Sequence, residues 1–335
     1  MKKMLKNAIA CMLSAVCVGI FVGCKKQEKR EWTVYVPDGA PALAIAGMMA
    51  TDTEEDGFSY RVVSPSVIAT KVTDKEEKKN ADLCVLPVTV ASKLLGDGQR
   101  YKMLGAVTRG NLYLVAKTEQ ESLYTPETLT KLVGKTVGVL QINEVPGLTF
   151  KAVLNTYGLA WQEVSEGQEK ATDKVNLVAI TGADALGVVQ ADCFLIAEPA
   201  ASAQSKKGFS IVGDIQALYG GENGYTQAVL VAKTALTADK AWVDTVTAQL
   251  EKSVEWLQTA DGTQIVSAVS AHIEDGGTTT SLKAPLLTAE VVARCGVRFV
   301  GAVACQERTE AFLRALLAVN DKAATLPSTA FYYSE

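Results

Sequence analysis

The sequence predicts an α/β protein of two lobes, and three patterns carry the prediction. From Trp32 onward, short apolar runs alternate with helical patterns, as in strands interleaved with helices. The alternation runs through two successive blocks, the second starting near Thr125, each repeating strand, polar or proline-bearing loop, helix. The pentapeptide "LVAKT" occurs at Leu114–Thr118 and again at Leu230–Thr234, and the two copies flank the second block. Two similar strands account for so short a repeat by chance, but these positions suit a pair of crossover strands joining two lobes. Residues 32–112 with 230–335 then form one lobe, and residues 113–229 the other.

In the first block "WTVYV" reads as a strand, "PDGA" as a loop and "PALAIAGMMA" as a helix. Pro41 falls in its first turn, where a missing N–H costs nothing. "FSYRVVS" and "ADLCVLP" are further strands, separated by the charged "DKEEKK", a solvated helix or turn. The helix "VTVASKLL" and the strands "YKMLGAVTR" and "NLYLVAK" follow. In the second block "ETLTKLVG" is a short helix, "KTVGVL" a strand, "QINEVPG" a loop and "LTFKAVLNTYGL" a helix closed by Gly158. "VNLVAI", "ADCFLIAE" and "FSIVGD" are strands, with the helix "GADALGVVQ" between the first two. From Asp239 the pattern is helical, through "AWVDTVTAQLEKSVEWLQ", "GTQIVSAVSAHI", "TAEVVARCG" and "ERTEAFLRALLAVN". These helices are expected to pack back on the first lobe.

Of the 335 residues, 48% are apolar and 21% charged, the balance of a soluble globular chain. The formal net charge is -4, and no Lys/Arg cluster with interleaved aromatics occurs, so no nucleic-acid partner is expected. Residues 1–23 fit an export signal: basic "MKKMLK", a mostly apolar "AIACMLSAVCVGIFVG" and small Gly23 before Cys24. The apolar run falls short of the roughly 20 residues a spanning helix needs. The reading is a lipoprotein signal, with Cys24 acylated at the new N-terminus and residues 24–31 a solvated tether. Phe21 stands where leucine is typical three before such a cysteine, so an uncleaved anchor or ordinary secretion are the alternatives.

Cys84, Cys193, Cys295 and Cys305 each sit in an apolar segment, without CxxC or zinc-site spacing, and read as buried free thiols. A Cys295–Cys305 bridge is compatible with export. Catalytic constellations are scarce. His272 is the single histidine, with no GxSxG elbow to serve, and "HIE" at 272–274 has no PCxxC after it. No GxxxxGK[ST] exists, no GxGxxG follows a strand, and the glycine-rich "YGGENG" precedes a strand, not a helix. No cofactor, metal site or catalysis is expected.

What the sequence supplies is a set of loops passing from strand ends into helix starts, where open α/β sheets bind ligands. They are "PDGAP" at 37–41, "SPS" at 64–66, "LPVT" at 86–89, "NEVPG" at 143–147, "GAD" at 182–184 and "EPA" at 198–200. Each alone belongs in any βα loop; spread over two lobes, they outline a cleft. Ser64 is the candidate in the second of them.

"VYVPDGAPALAIAGMMA", "ADLCVLPVTVASKLL", "YKMLGAVTRGNLYLVA", "LVGKTVGVLQINEVPGLTFKAVLNTYGL" and the terminal "FYY" resemble the solute-binding lipoproteins of ABC importers. The branch is the nitrate/sulfonate/taurine type, as found in Firmicutes, and the resemblance covers nearly the whole mature chain. It implies a two-lobed type II periplasmic-binding-protein fold with two crossover strands as hinge. It also implies a monomer that captures a small solute without catalysis, anchored by lipid on the extracytoplasmic face of the membrane, with an ABC permease and its ATPase as partners. The implied ligand residues are Asp38, Gly39 and Ala40 in the first loop and Pro87, Val88 and Thr89 after the third strand. Asn111 and Tyr113 lie at the first crossover, Asn143, Val145 and Pro146 in the second lobe's opening loop, and Glu198 in its later loop. Helix capping accounts equally for Asp38 and Thr89, and core packing for Tyr113. Arg109 suits an anionic solute and Glu198 a cationic one, so a sulfonate, a carboxylate and a pyrimidine-like solute all stay open. The other readings of the same fold are an enzyme and a surface sensor or adhesion protein.

Overall fold

A computed structural model describes residues 32–52, 57–274 and 279–334. The signal, Cys24 and the tether lie outside the described residues. Residues 32–335 form one compact unit by contact, built on two six-stranded mixed sheets.

The first sheet contains β1 (Trp32–Pro37), β2 (Phe58–Val63), β3 (Leu83–Pro87), β4 (Tyr101–Thr108), β11 (Ala228–Lys233) and β12 (Val297–Gly301). Its order is β12-β4-β11-β3-β1-β2. The second contains β5 (Leu112–Ala116), β6 (Thr136–Leu140), β7 (Trp161–Glu163), β8 (Val175–Ile180), β9 (Cys193–Ala197) and β10 (Ser210–Asp214), ordered β10-β5-β9-β6-β8-β7. In the first, β1 runs parallel to β2 and β3, while β11 runs antiparallel to β3 and β4. In the second, β6 runs parallel to β8 and β9, and β5 antiparallel to β9 and β10. Central strands covered on both faces read as unbroken apolar runs; Leu83 through Leu86 are all at most 1% exposed.

Helices α1 (Ala40–Leu43), α2 (Ala46–Ala50) and α3 (Val88–Leu95) belong to the first block; α4 (Val145–Thr156), α5 (Ala200–Ala203) and α6 (Ile215–Gly220) belong to the second. Then follow α7 (Lys240–Leu257), α8 (Gly262–Ser270), α9 (Ala289–Arg294) and α10 (Ala302–Val319). α7 and α8 pack on α2, as expected of helices returning to the first lobe. The Ser253 hydroxyl of α7 accepts from Gly47 N–H and donates to Ala44 C=O, both at 2.9 Å. α10 does more: it packs on β4 and β12 and also on α4 of the second lobe. One apolar core therefore runs from Met103 and Leu86 through Phe312 to Leu114 and Val137. A second covers the other face of the first sheet, from Val34 and Leu230 to Val246 and Ile265.

The two "LVAKT" copies fall in different sheets, one in β5 and one in β11, and the chain crosses just before each. The crossing segments, residues 109–111 and 224–227, bond to each other. Tyr225 N–H donates to Arg109 C=O at 3.1 Å, Gln227 N–H to Thr108 C=O at 3.2 Å, and Gln227 Nε2 to Asn111 Oδ1 at 2.9 Å. Gly110 (φ 99°) and Gly296 (φ 68°) make the junction compact: a Cβ on Gly296 would lie 2.1 Å from Gly110 O.

The elements differ from expectation where periodicity is short. "ETLTKLVG" and "GADALGVVQ" form only 3-10 turns, Leu129–Leu132 and Ala183–Gly187, too brief to propagate an α-helix. β12 lies in the tail read as helical throughout; Val297, Phe299 and Val300, bracketed by glycines, favour a strand at the sheet's edge. β7 and α6, three and six residues long, carry no readable period.

Candidate functional site

The carboxyl ends of β1, β2, β3 and β4 share one edge of the first sheet, and those of β6, β8, β9 and β10 share one edge of the second. Because β4 ends and β5 begins at the crossover, both edges meet there. In open α/β sheets this edge is where ligands bind.

On the first lobe Asp38 follows β1, and its N–H donates to Val63 C=O at 2.8 Å, tying the first two loops together. Its carboxylate does not cap α1. It accepts from Ser281 N–H at 2.7 Å and from the Thr280 hydroxyl, fastening the 280–281 loop to the sheet edge. Gly39 is the N-cap of α1 with no side-chain cap, and Ala40 is buried. Ser64 is exposed, its hydroxyl 2.8 Å from that of Ser66. Pro87 is half-buried, whereas Val88 and Thr89 are buried and Val88 N–H is spent on Gln227 C=O at 2.9 Å. These side chains pack into the first lobe.

On the second lobe the 141–146 loop is held by Lys151, a lysine only 2% exposed. Its ammonium donates to Ile142 C=O at 3.0 Å and Glu163 at 2.6 Å, with Asn143 Oδ1 at 3.4 Å, and lies over the Trp161 ring. Asn143 is exposed; Val145 and Pro146 form the first turn of α4, whose N-cap Glu144 provides no side-chain cap. Gln141 takes φ 54°, a conformation non-glycine residues rarely adopt.

The structure brings three expected residues together at the crossover. Asn111 Nδ2 donates to Glu198 C=O at 2.9 Å, and Glu198 N–H returns a bond to Asn111 C=O at 2.9 Å. The Glu198 carboxylate is fully buried and paired with Arg294 Nε at 2.6 Å. Tyr113 OH donates to Arg294 C=O at 3.0 Å. Burial lowers the Arg294 pKa, but Glu198 and Glu290 outweigh it and hold the guanidinium above its ordinary value. Burial pushes the Tyr113 phenol far up. Asp38 and Ser64 share no hydrogen bond with Asn143 or Glu198 among the described residues. Arg109 donates to Glu222 C=O, closing the turn before the second crossing.

Sequence reasoning missed Arg294, Ser202, Gln227 and Gln216. Arg294 is 96 residues from Glu198, and "TAEVVARCG" reads only as a helix. Gln216 clasps Leu112, accepting from its N–H at 2.7 Å and donating to its C=O at 2.9 Å. Cys84, Cys193, Cys295 and Cys305 are buried and free, so Cys295 and Cys305 form no bridge; burial pushes the Cys295 thiol up to about 12. His272 lies edge-on to Tyr60, 3.9 Å from Asp52, away from the crossover. Among the described residues no group of His, Cys, Asp and Glu is arranged to hold a metal, and no helix is long and apolar enough to cross a membrane.

No protein-family profile and no curated protein matches the chain. Solved structures do. An ABC transporter structure from Parabacteroides distasonis is similar with a TM-score of 0.68 at 20% identity, covering 91% of this chain and 99% of that one. The periplasmic aliphatic sulphonate binding protein of Escherichia coli is similar at TM-score 0.61 and 15% identity, covering 91% and 92%. The zinc-bound ligand-binding component of an ABC-type import system from Staphylococcus aureus gives 0.56 at 11%, covering 91% and 96%. At these identities the likeness establishes the fold: two α/β lobes of the periplasmic-binding-protein type.

Proposed function

We propose that this chain is the extracytoplasmic solute-binding component of an ABC importer, capturing a small polar organic solute between lobes 32–112 with 230–335 and 113–229. One observation carries the reading: two α/β sheets turn the carboxyl ends of their parallel strands to a single double crossover. Such an arrangement lets a guest that touches both lobes favour the closed state by its differential affinity. The fold likeness to a sulphonate binding protein and to an import component supports it. The candidate contacts are Asp38, Gly39, Ala40, Ser64, Pro87, Val88, Thr89, Asn111, Tyr113, Asn143, Val145, Pro146 and Glu198. The exposed Ser64 and Asn143 are best placed to meet solute directly, and the buried members to support them. Glu198 is fully buried and paired with Arg294, which supports a role in holding the crossover more than one in selecting a cationic solute. The partners are a permease and its ATPase. Cys24, acylated, keeps the catcher beside them and raises its effective concentration.

Purification from membranes followed by native and denaturing mass spectrometry reads both parts of this proposal. A non-covalent small molecule lost on denaturation is expected, together with an acyl mass increment on a peptide starting at Cys24. Solute classes are then ranked by thermal shift with sulfonates, aromatic carboxylates, pyrimidines and amines, since a ligand of the folded state raises stability by mass action. Folded protein that carries nothing and answers to no class would overturn the solute reading; an unmodified Cys24 would remove the anchor.

A further inference from the structure

Glu198 follows β9 of the second lobe, and Arg294 ends α9, which leads into β12 of the first. Between them lies a charge contact whose carboxylate is fully buried and whose guanidinium is about a quarter exposed, with each guanidinium nitrogen hydrogen-bonded. Arg294 Nε donates to Glu198 Oε1 at 2.6 Å and Nη2 to Ser202 Oγ at 2.7 Å, while Nη1 pairs with Glu290. Ser202 Oγ donates to Glu198 Oε1 at 2.5 Å, and Ser202 N–H to Oε2 at 2.9 Å. The contact is flanked by space. A cavity of about 490 Å³ separates Leu286 and Val291 from Ala201 and Phe209, and another of about 300 Å³ lies between Gly110, Asp214 and Gly296; Arg294 lines both. At this place the two lobes meet through the Arg294 guanidinium and the Tyr113 hydroxyl on Arg294 C=O, polar contacts set between two voids and outside the shared apolar core.

We propose that Arg294 is an inter-lobe latch: its fork engages Glu198 and Ser202 in one orientation of the lobes and releases them in another. Directional, charge-assisted hydrogen bonds suit that role because they are lost over a short displacement. A buried carboxylate deprived of its cation is strongly disfavoured, so released Glu198 must be rehydrated from the adjoining cavities. The latch therefore sets the resting balance between lobe orientations before any solute arrives.

The test uses the solute-free full chain, which separates its outcome from the solute-binding proposal. Small-angle scattering reads lobe separation, and hydrogen exchange reads the amides of residues 198–206. In Arg294→Gln the radius of gyration is expected to rise. Exchange at residues 198–206 is expected to speed up about ten- to a hundredfold, while strand β6 keeps its protection. Glu198→Gln, of the same size, is expected to move both readouts less. If Arg294→Gln does not fold, Arg294→Lys, which keeps the charge and loses the fork, is read the same way. Folded variants with wild-type scattering overturn the latch, and faster exchange with unchanged scattering marks a merely local pair and overturns it too.

Discussion

Phe312 and Arg294 both reach from the first lobe to the second, and they do so by opposite chemistry. Phe312, fully buried on α10, stacks on Tyr225 of the second crossing with ring centroids 4.7 Å apart. Its edge meets Tyr219 of α6 at 5.4 Å. Around it the core is continuous from one sheet to the other. Arg294 meets Glu198 between two cavities. Stacked rings have no donor to misalign when they turn slightly on one another, whereas the hydrogen bonds of the guanidinium to Glu198 and Ser202 are directional and weaken steeply off line. The difference suggests a division of labour, with the aromatic cluster as the fixed axis and the charged contact as the part that lets go.

The largest expected effect breaks the axis. Phe312→Ala removes a buried ring from a core shared by both lobes, at a cost of about 3–5 kcal/mol. Because the core is shared, denaturant melting followed at a probe in each sheet should move to a lower midpoint together. A loss confined to the first sheet, or one below about 1 kcal/mol, would show that the lobes are coupled elsewhere.

Next comes the junction backbone. Gly296 sits at φ 68° with Gly110 O where a Cβ would go, 2.1 Å away. Gly296→Ala is expected to cost about 1–3 kcal/mol in strain, read as a lower melting temperature with unchanged secondary structure by circular dichroism. A neutral result would mean that the junction shifts freely, which is incompatible with a fixed axis beside it.

Much of this frame is legible in the sequence alone. β1, β3, β4, β5, β6, β8, β9 and β11 are apolar runs with punctuation at both ends, and local periodicity suffices to find them. β12 and β7 escaped because an edge strand of three to five residues is settled by the partner it pairs with, not by its own pattern. The site was legible as loops and illegible as contacts. That Asp38 follows a strand is local; that its carboxylate holds Thr280 and Ser281 instead of capping α1 depends on a loop 242 residues downstream. Val88 and Thr89 read as cleft residues because the loop precedes a helix, yet β11 runs beside β3 and Gln227 takes the Val88 N–H. Arg294 gave no signal, since a helix-end arginine has many surface uses and its partner comes from the other lobe.

The smallest expected effect asks whether an ion pair within one lobe behaves like the pair between lobes. Glu274 accepts from Lys71 Nζ at 2.6 Å and from Tyr35 OH at 2.9 Å, and the ammonium lies over the Tyr35 ring. Burial, then Glu274, pushes the Tyr35 phenol up to about 12. For Glu274 itself burial acts upward, but Lys71 and Tyr35 outweigh it and hold the carboxyl below its usual range. A carboxyl whose pKa is lower folded than unfolded stabilises the protein above its unfolded pKa, and that contribution fades as pH falls through the folded value. Glu274→Gln should therefore be less stable than wild type at pH 7, by under about 1 kcal/mol for a pair partly open to water. Melting curves of the two proteins should converge on acidification, and small-angle scattering should be the same for both at pH 7. A gap that widens in acid would reverse the assigned direction of the Glu274 shift. A change in scattering would show that charge within a lobe also sets lobe orientation, and the contrast with Arg294 would fail.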